Sequence, residues 1–230
     1  MKKTIIASLF VLLGFTACDF LNEVPQDRLS PESYFKTETD LQLFTNPLYD
    51  NLLDKDAYEH QSDHCIHLNL SSELHGGTFR TVPATGGGWS WGNLRRINTL
   101  LGNSFNCENE SVRAHYDAVA RFFRAMFYFE KVKRFGDVPW IDVELGSESE
   151  QLFAPRDSRE LVMQNMIKDI DYAIANLPEK VSTFRVNKWA ALALKAEFCL
   201  YEGTFRKYHA GHVTLSTLPA DATPYSEYLE

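Results

Sequence analysis

From Val112 to Phe135 the chain carries the feature that most restricts its fold, a helical stripe of six turns and more. Val112, Tyr116, Val119, Phe123, Phe127 and Phe135 share one face, with Arg121, Arg124, Lys131 and Lys133 interspersed. Gly136 and Pro139 stop the pattern. A helix this long and this apolar along one side is marginal alone and needs other helices to cover it. The chain around it supplies them.

Thr37 with Asp40 three residues later reads as a helix start ahead of Leu41, Phe44, Leu48 and Leu52. Pro47 inside that pattern predicts a kink or a restart. Ser30-Pro31 is a further start signal. Trp91, Leu94, Ile97 and Leu101 form the next stripe, with Gly102 expected as its C-terminal cap. Gly136 to Leu145 reads as extended connector. Asp157 and Glu160 form a capping box for a helix reaching Leu177, with Met163, Met166, Ile167, Ile170, Ala173 and Ile174 along one side. Pro178 ends it. The last strong helix is Asn187 to Tyr201, where Ala190, Ala191, Ala193 and Ala196 let helix axes approach closely. Strand signals are scarce. The expected fold class is mainly α.

Residues 54–90 differ in kind. They hold four of the seven histidines (His60, His64, His67 and His75), Gly76-Gly77 and Gly86-Gly87-Gly88, with no sustained period. Long excursions of this sort in compact domains tend to carry function.

The first twenty residues, MKKTIIASLFVLLGFTACDF, set the compartment. Lys2 and Lys3 precede an apolar run from Thr4 to Phe15 that is too short to span a bilayer. Thr16 and Ala17 lead directly into Cys18, an arrangement that resembles a lipobox. No A-x-A site offers another cleavage point. Residues 1–17 are therefore read as a lipoprotein signal peptide, with 18–230 as the mature chain, lipidated on Cys18 and held to a membrane by acyl chains. Removal of Lys2 and Lys3 takes the formal charge from −8 to −10. Such acidity argues against nucleic acid and against electrostatic docking on anionic lipid. Cys65, Cys107 and Cys199 remain, and three cysteines are no disulfide scaffold. Cys199 reads as a buried free thiol, while Cys65 and Cys107 are free to pair or not.

Catalytic and metal signals are weak. His64-Cys65-x-His67 lacks the second ligand pair of a zinc motif. Gly86-Gly87-Gly88 lacks the lysine and hydroxyl residue of a phosphate loop, and Ser71-Ser72-Glu73 is no nucleophile elbow. Asp169 and Asp171, two apart on a helix, face different ways and do not form a glycosidase pair. Arg121 and Arg124 share a face and are expected to pair with acids of neighbouring helices. Trp140 and Trp189 are read as core. No catalytic residue, metal or cofactor is expected.

Trp89 and Trp91 are the candidate ligand-binding pair, with Arg80 and Asn93 as polar partners. Sugars stack their C–H faces on aromatic rings, and their hydroxyls need donors and acceptors such as arginine and asparagine. Trp91 has a second reading as the first core residue of its helix, which leaves Trp89 as the exposed ring.

Ala120 through Pro139 (ARFFRAMFYFEKVKRFGDVP) resembles the signature helix and exit of the SusD/RagB family. Other segments match in the same order: Cys18–Asn22 with Pro31–Phe35, Trp91–Asn98, Pro155–Ser158 with Asp169–Ala173 and Leu177-Pro178, and Lys188–Lys195. The resemblance implies tetratricopeptide-like helical hairpins bearing loops that bind glycan or peptide. It also implies an outer-membrane lipoprotein, not an enzyme, that sits over a SusC-like TonB-dependent transporter and passes an oligosaccharide or other nutrient to it. The alternative is a helical scaffold that serves protein contacts alone, or a peptide-capturing relative. Family members run considerably longer. Tyr225 to Glu230 reads as the opening turn of a further helix, so 18–230 is expected to be an N-terminal α-helical part cut short at its C-terminus.

Overall fold

The structure, a computed structural model, describes residues 33–52, 86–209 and 222–230. Among the described residues, six α-helices form the framework: α1 (Glu38–Leu52), α2 (Gly92–Asn103), α3 (Glu110–Phe135), α4 (Arg159–Asn176), α5 (Lys188–His209) and α6 (Tyr225–Leu229). Short 3-10 turns follow α2 (Ser104–Asn106) and precede α4 (Glu150–Phe153). Among the described residues the only bridge pairing joins Val138 to Asp157, and there is no strand. The fold is mainly α, and its helices pack chiefly on their chain neighbours in tetratricopeptide-like hairpins.

At 26 residues, α3 is about 39 Å long and forms the hub, in contact with α1, α2 and α4. Asn109 caps it, accepting from the Ser111 and Val112 N–H groups at 3.1 and 3.2 Å. Gly136 closes it with φ +70°, its N–H donating to Val132 O at 3.0 Å. Phe123, Tyr128, Ala118 and Ala125 are wholly buried, so core surrounds much of the helix rather than one stripe.

Thr37 and Asp40 do form a reciprocal box: Thr37 N–H donates to Asp40 Oδ2 at 2.9 Å, and Asp40 N–H to Thr37 Oγ1 at 3.2 Å. These backbone bonds hold the Asp40 carboxyl below the usual range despite some burial. Of the kink or restart expected at Pro47, the restart does not occur. α1 continues through the proline, because Leu41 and Leu48 on either side bury in one core and outweigh one missing hydrogen bond. Gly102 does not cap α2. The helix passes through it to Asn103, whose side chain donates back to Thr99 O at 2.7 Å, and a 3-10 turn finishes the element.

The expected Asp157–Glu160 capping box is also corrected. Ser158 caps α4, accepting from Leu161 N–H at 3.3 Å. Asp157 instead accepts from Trp140 N–H at 2.7 Å, and Glu160 is buried against Arg206. α5 runs eight residues beyond Tyr201. Of its alanines, Ala191 faces the core and Ala190 is half-buried, while Ala193 and Ala196 face outward. Trp189 lies on that outer side, 56% exposed, and is not a core residue. Trp140 is half-buried and stacks on Tyr128 with centroids 4.2 Å apart. Cys107 is buried and free, whereas Cys199 is free but only half-buried.

Two ion clusters tie the hairpins together. Arg124 on α3 holds Asp169 on α4 at 2.6 and 2.7 Å, and Arg121 adds a third bond at 3.0 Å. The expected partnership of these arginines with a neighbouring helix is observed. Asp171 is exposed, so the two aspartates do face apart. Farther along, Arg159 donates to Glu202, and Arg206 bridges Glu202 at 2.7 Å and Glu160 at 2.6 Å. Thr223 Oγ1 donates to Glu160 at 2.6 Å, which docks the α6 segment. Gly203 makes that docking possible, since a Cβ there would lie 2.7 Å from Leu229 Cδ2.

The signal-peptide segment, Cys18, the Ser30-Pro31 start, Cys65, Arg80 and the four histidines of 54–90 lie outside the described residues. Among the described helices none is long and apolar enough to cross a membrane.

Candidate functional site

Gly86, Gly87 and Gly88 have φ of +79°, +62° and +85°, a run that residues with a Cβ rarely adopt. The turn closes with Trp89 N–H donating to Gly86 O at 3.1 Å. It is fixed to α3 by Lys131, whose ammonium donates to Gly88 O. Lys131 is itself buried among aromatic rings, with Nζ 5.5 Å from the Trp91 centroid and 4.9 Å from that of Phe127. Burial lowers its pKa, and neighbouring Arg134 adds to the shift.

This turn delivers Trp89 to the surface, 39% exposed. Its ring meets Trp91 and Phe135 edge-on at 5.1 and 4.8 Å. The Arg156 guanidinium lies 5.0 Å from its centroid. Trp91 turns inward, half-buried, 5.7 Å from Phe127 and 6.3 Å from Tyr128. The two tryptophans thus divide: one ring faces solvent and the other packs on the core.

Both line a cleft of about 590 Å³ whose floor is the start of α2 and whose far wall is the connector after α3. That wall is tethered at several points. Asn98 donates to Ile141 O and Val143 O, each at 3.0 Å, and accepts from Arg124 at 3.2 Å. Ile141 N–H donates to the Tyr128 hydroxyl at 2.7 Å. Burial, the main influence, raises the pKa of that phenol strongly, so it stays a neutral donor and acceptor. The rim is Arg95, Gln151, Leu152 and Arg156. Arg95 Nε reaches Glu144 at 3.4 Å, and Arg156 donates to Asp137 O at 3.4 Å.

Of the expected polar partners, Arg80 lies outside the described residues. Asn93 sits half-buried in the first turn of α2 and does not line the cleft. Arg156, Arg95 and Gln151 take that place. Arg156 stands in the Pro155–Ser158 segment already singled out, but as part of a helix start; nothing in the local pattern brings it to Trp89. A second concavity of about 470 Å³ is lined by Arg121, Arg124 and Asp169, whose charges are spent on one another. Among the described residues no group of three or more histidines, cysteines or carboxylates is placed to hold a metal ion.

A family model described as "Starch-binding associating with outer membrane" matches residues 93–200. A SusD-like protein of Formosa agariphila is 28% identical over 226 residues, covering 90% of this chain and 45% of the relative. A second from the same organism is 23% identical, covering 87% and 43%. One from Bacteroides ovatus is 24% identical, covering 87% and 39%. The chain thus spans less than half the length of the relatives it matches. The crystal structure of a SusD-like protein from Bacteroides fragilis shares the fold, with a TM-score of 0.58 and 24% identity over 80% of this chain and 39% of that one. The family model matches the helical array from α2 into α5 and these relatives align over nearly the whole sequence, so the chain is similar to SusD-like proteins and shares their fold.

Proposed function

We propose that this chain is the N-terminal α-helical part of a cell-surface lipoprotein, anchored in the outer membrane through Cys18 after loss of residues 1–17. It binds nutrient glycan at the Trp89 cleft and passes it to a SusC-like TonB-dependent transporter. The observation that carries this reading is the solvent-facing Trp89 ring, held by a glycine turn at the mouth of a cleft with polar groups on its rim. The family model's description, starch binding and outer-membrane association, agrees with it. Binding needs no cofactor and no catalytic group, so the protein acts as a capture module. A glycan array probed with the wild-type chain and with Trp89→Ala tests it. Retention of particular glycans by wild type and its loss in the variant are expected; equal retention by both refutes the assignment.

The alternative, a scaffold for protein contacts, draws on the outer face of α5, where Trp189, Leu192, Ala193, Ala196 and Leu200 are exposed at helical spacing. Loss of transporter co-purification in Trp189→Ala, with glycan retention intact, would favour that role for α5.

A further inference from the structure

We infer that the Trp89 cleft selects acidic sugars, uronates or sulfate esters, over neutral ones. The inference rests on the glycan reading above and deepens it.

The lining of the cleft holds two arginines and no carboxylate. That is notable in a chain with 31 acidic and 23 basic residues and a formal charge of −8. Arg156 holds its guanidinium over one face of the Trp89 ring, 5.0 Å from the centroid, which leaves the opposite face for a pyranose to stack on. Its hydrogen-bond partner among the described residues is a single backbone carbonyl, Asp137 O, at 3.4 Å. Arg95 faces the same space. Its side chain is 64% exposed, and only Nε is engaged, by Glu144 at 3.4 Å. The terminal amino groups of Arg95 have no partner among the described residues. Glu144, the acid paired with Arg95, does not line the cleft. Asp157, beside Arg156 in sequence, is turned away to cap Trp140 N–H.

The hydrogen-bond inventory leads to the same class. A neutral sugar presents hydroxyls that donate as well as accept, and of the exposed rim side chains only Gln151 offers an acceptor for them. The charged groups here are donors alone, in the planar fork that matches a carboxylate or sulfate bidentately. A sugar stacked on Trp89 with an acidic substituent pointing along the rim satisfies both the ring and the guanidinium. A neutral sugar offers those donors only uncharged hydroxyl oxygens, which make weaker hydrogen bonds than a carboxylate or sulfate does.

The test is calorimetric titration of the full chain with an oligogalacturonate and a sulfated galactan oligosaccharide. Each is paired with its neutral counterpart, carboxyl-reduced or desulfated. At least one acidic ligand should bind about 10-fold or more tightly than its counterpart, the worth of one hydrogen bond to a charged group. Tighter binding of the uronate assigns carboxylate; tighter binding of the sulfated ligand assigns sulfate. The preference should shrink at high salt. Arg156→Gln should abolish most of the preference, and Arg95→Gln, at an exposed position, should reduce it without disturbing the fold. Trp89→Ala should weaken acidic and neutral ligands alike. Equal or tighter binding of both neutral counterparts, or a preference unchanged in both arginine variants, overturns the acidic-sugar assignment while a Trp89→Ala loss leaves glycan binding standing. No binding of any of the four ligands by the wild-type chain overturns the acidic-sugar assignment, while retention of another glycan on the array, lost in Trp89→Ala, leaves the glycan reading standing.

Discussion

Arg124 on α3 grips Asp169 on α4 through two hydrogen bonds of 2.6 and 2.7 Å, and the same guanidinium donates to Asn98, which holds the wall of the Trp89 cleft. One buried ion pair therefore joins the scaffold to the site. Removing one partner strands a buried charge, so Asp169→Ala should cost about 3–5 kcal/mol in urea unfolding. A cost under about 1 kcal/mol would show the pair to be dispensable.

Acid should release α6 before the rest of the chain unfolds. Burial alone would raise the Glu160 pKa, but bonds from Thr223 and Arg206 outweigh it and leave the folded value below the unfolded one. A depressed carboxylate stabilises the fold above its unfolded pKa, and that contribution fades as pH falls through the folded value. Hydrogen exchange of residues 222–230 should therefore accelerate below the ordinary glutamate range while α3 stays protected. In Glu160→Gln the acceleration should lose its pH dependence.

The helical framework is legible in the sequence because burial there is periodic. The stripes of α3 and α4 predict which side chains meet, and Thr37 with Asp40 shows its cap in four residues. Boundaries are less legible where two residues compete for one task. Asp157 and Ser158 are both good caps, and the choice is made by Trp140, seventeen positions away, which claims Asp157. The cleft is read only in part. Trp89 follows from its glycine turn, but Arg156 and Gln151 reach it because the connector folds back across α2, held by Asn98 and Tyr128. No local spacing encodes that return. Trp189 misleads for the opposite reason: an aromatic residue in a small-residue helix looks internal, yet this face of α5 has no neighbour among the described residues.

The glycine turn makes its own prediction. At Gly88, φ is +85° and a Cβ would meet Arg134 Nε at 3.1 Å. Gly88→Ala should cost about 1–2 kcal/mol for the left-handed backbone and shift Trp89. Glycan affinity should fall with it. Unaltered affinity would mean that the turn does not position the ring.

Trp91→Ala should act on stability rather than on ligand. Its half-buried ring contacts Phe127, Tyr128 and Lys131, so truncation should cost about 3 kcal/mol by thermal unfolding, the lower end for a core aromatic residue. A large fall in glycan affinity with an unchanged melting temperature would reverse the roles assigned to the two tryptophans.

The central claim is that Trp89 is the surface on which a glycan stacks. Its most direct test compares Trp89→Ala with Trp189→Ala, two exposed tryptophans of which one lines the cleft. Both variants are titrated calorimetrically with a glycan retained by the wild-type chain. Loss of one stacking contact, on the order of 1 kcal/mol, should weaken Trp89→Ala several-fold and leave Trp189→Ala at wild-type affinity. Full affinity in Trp89→Ala, or an equal loss in both, would contradict the account.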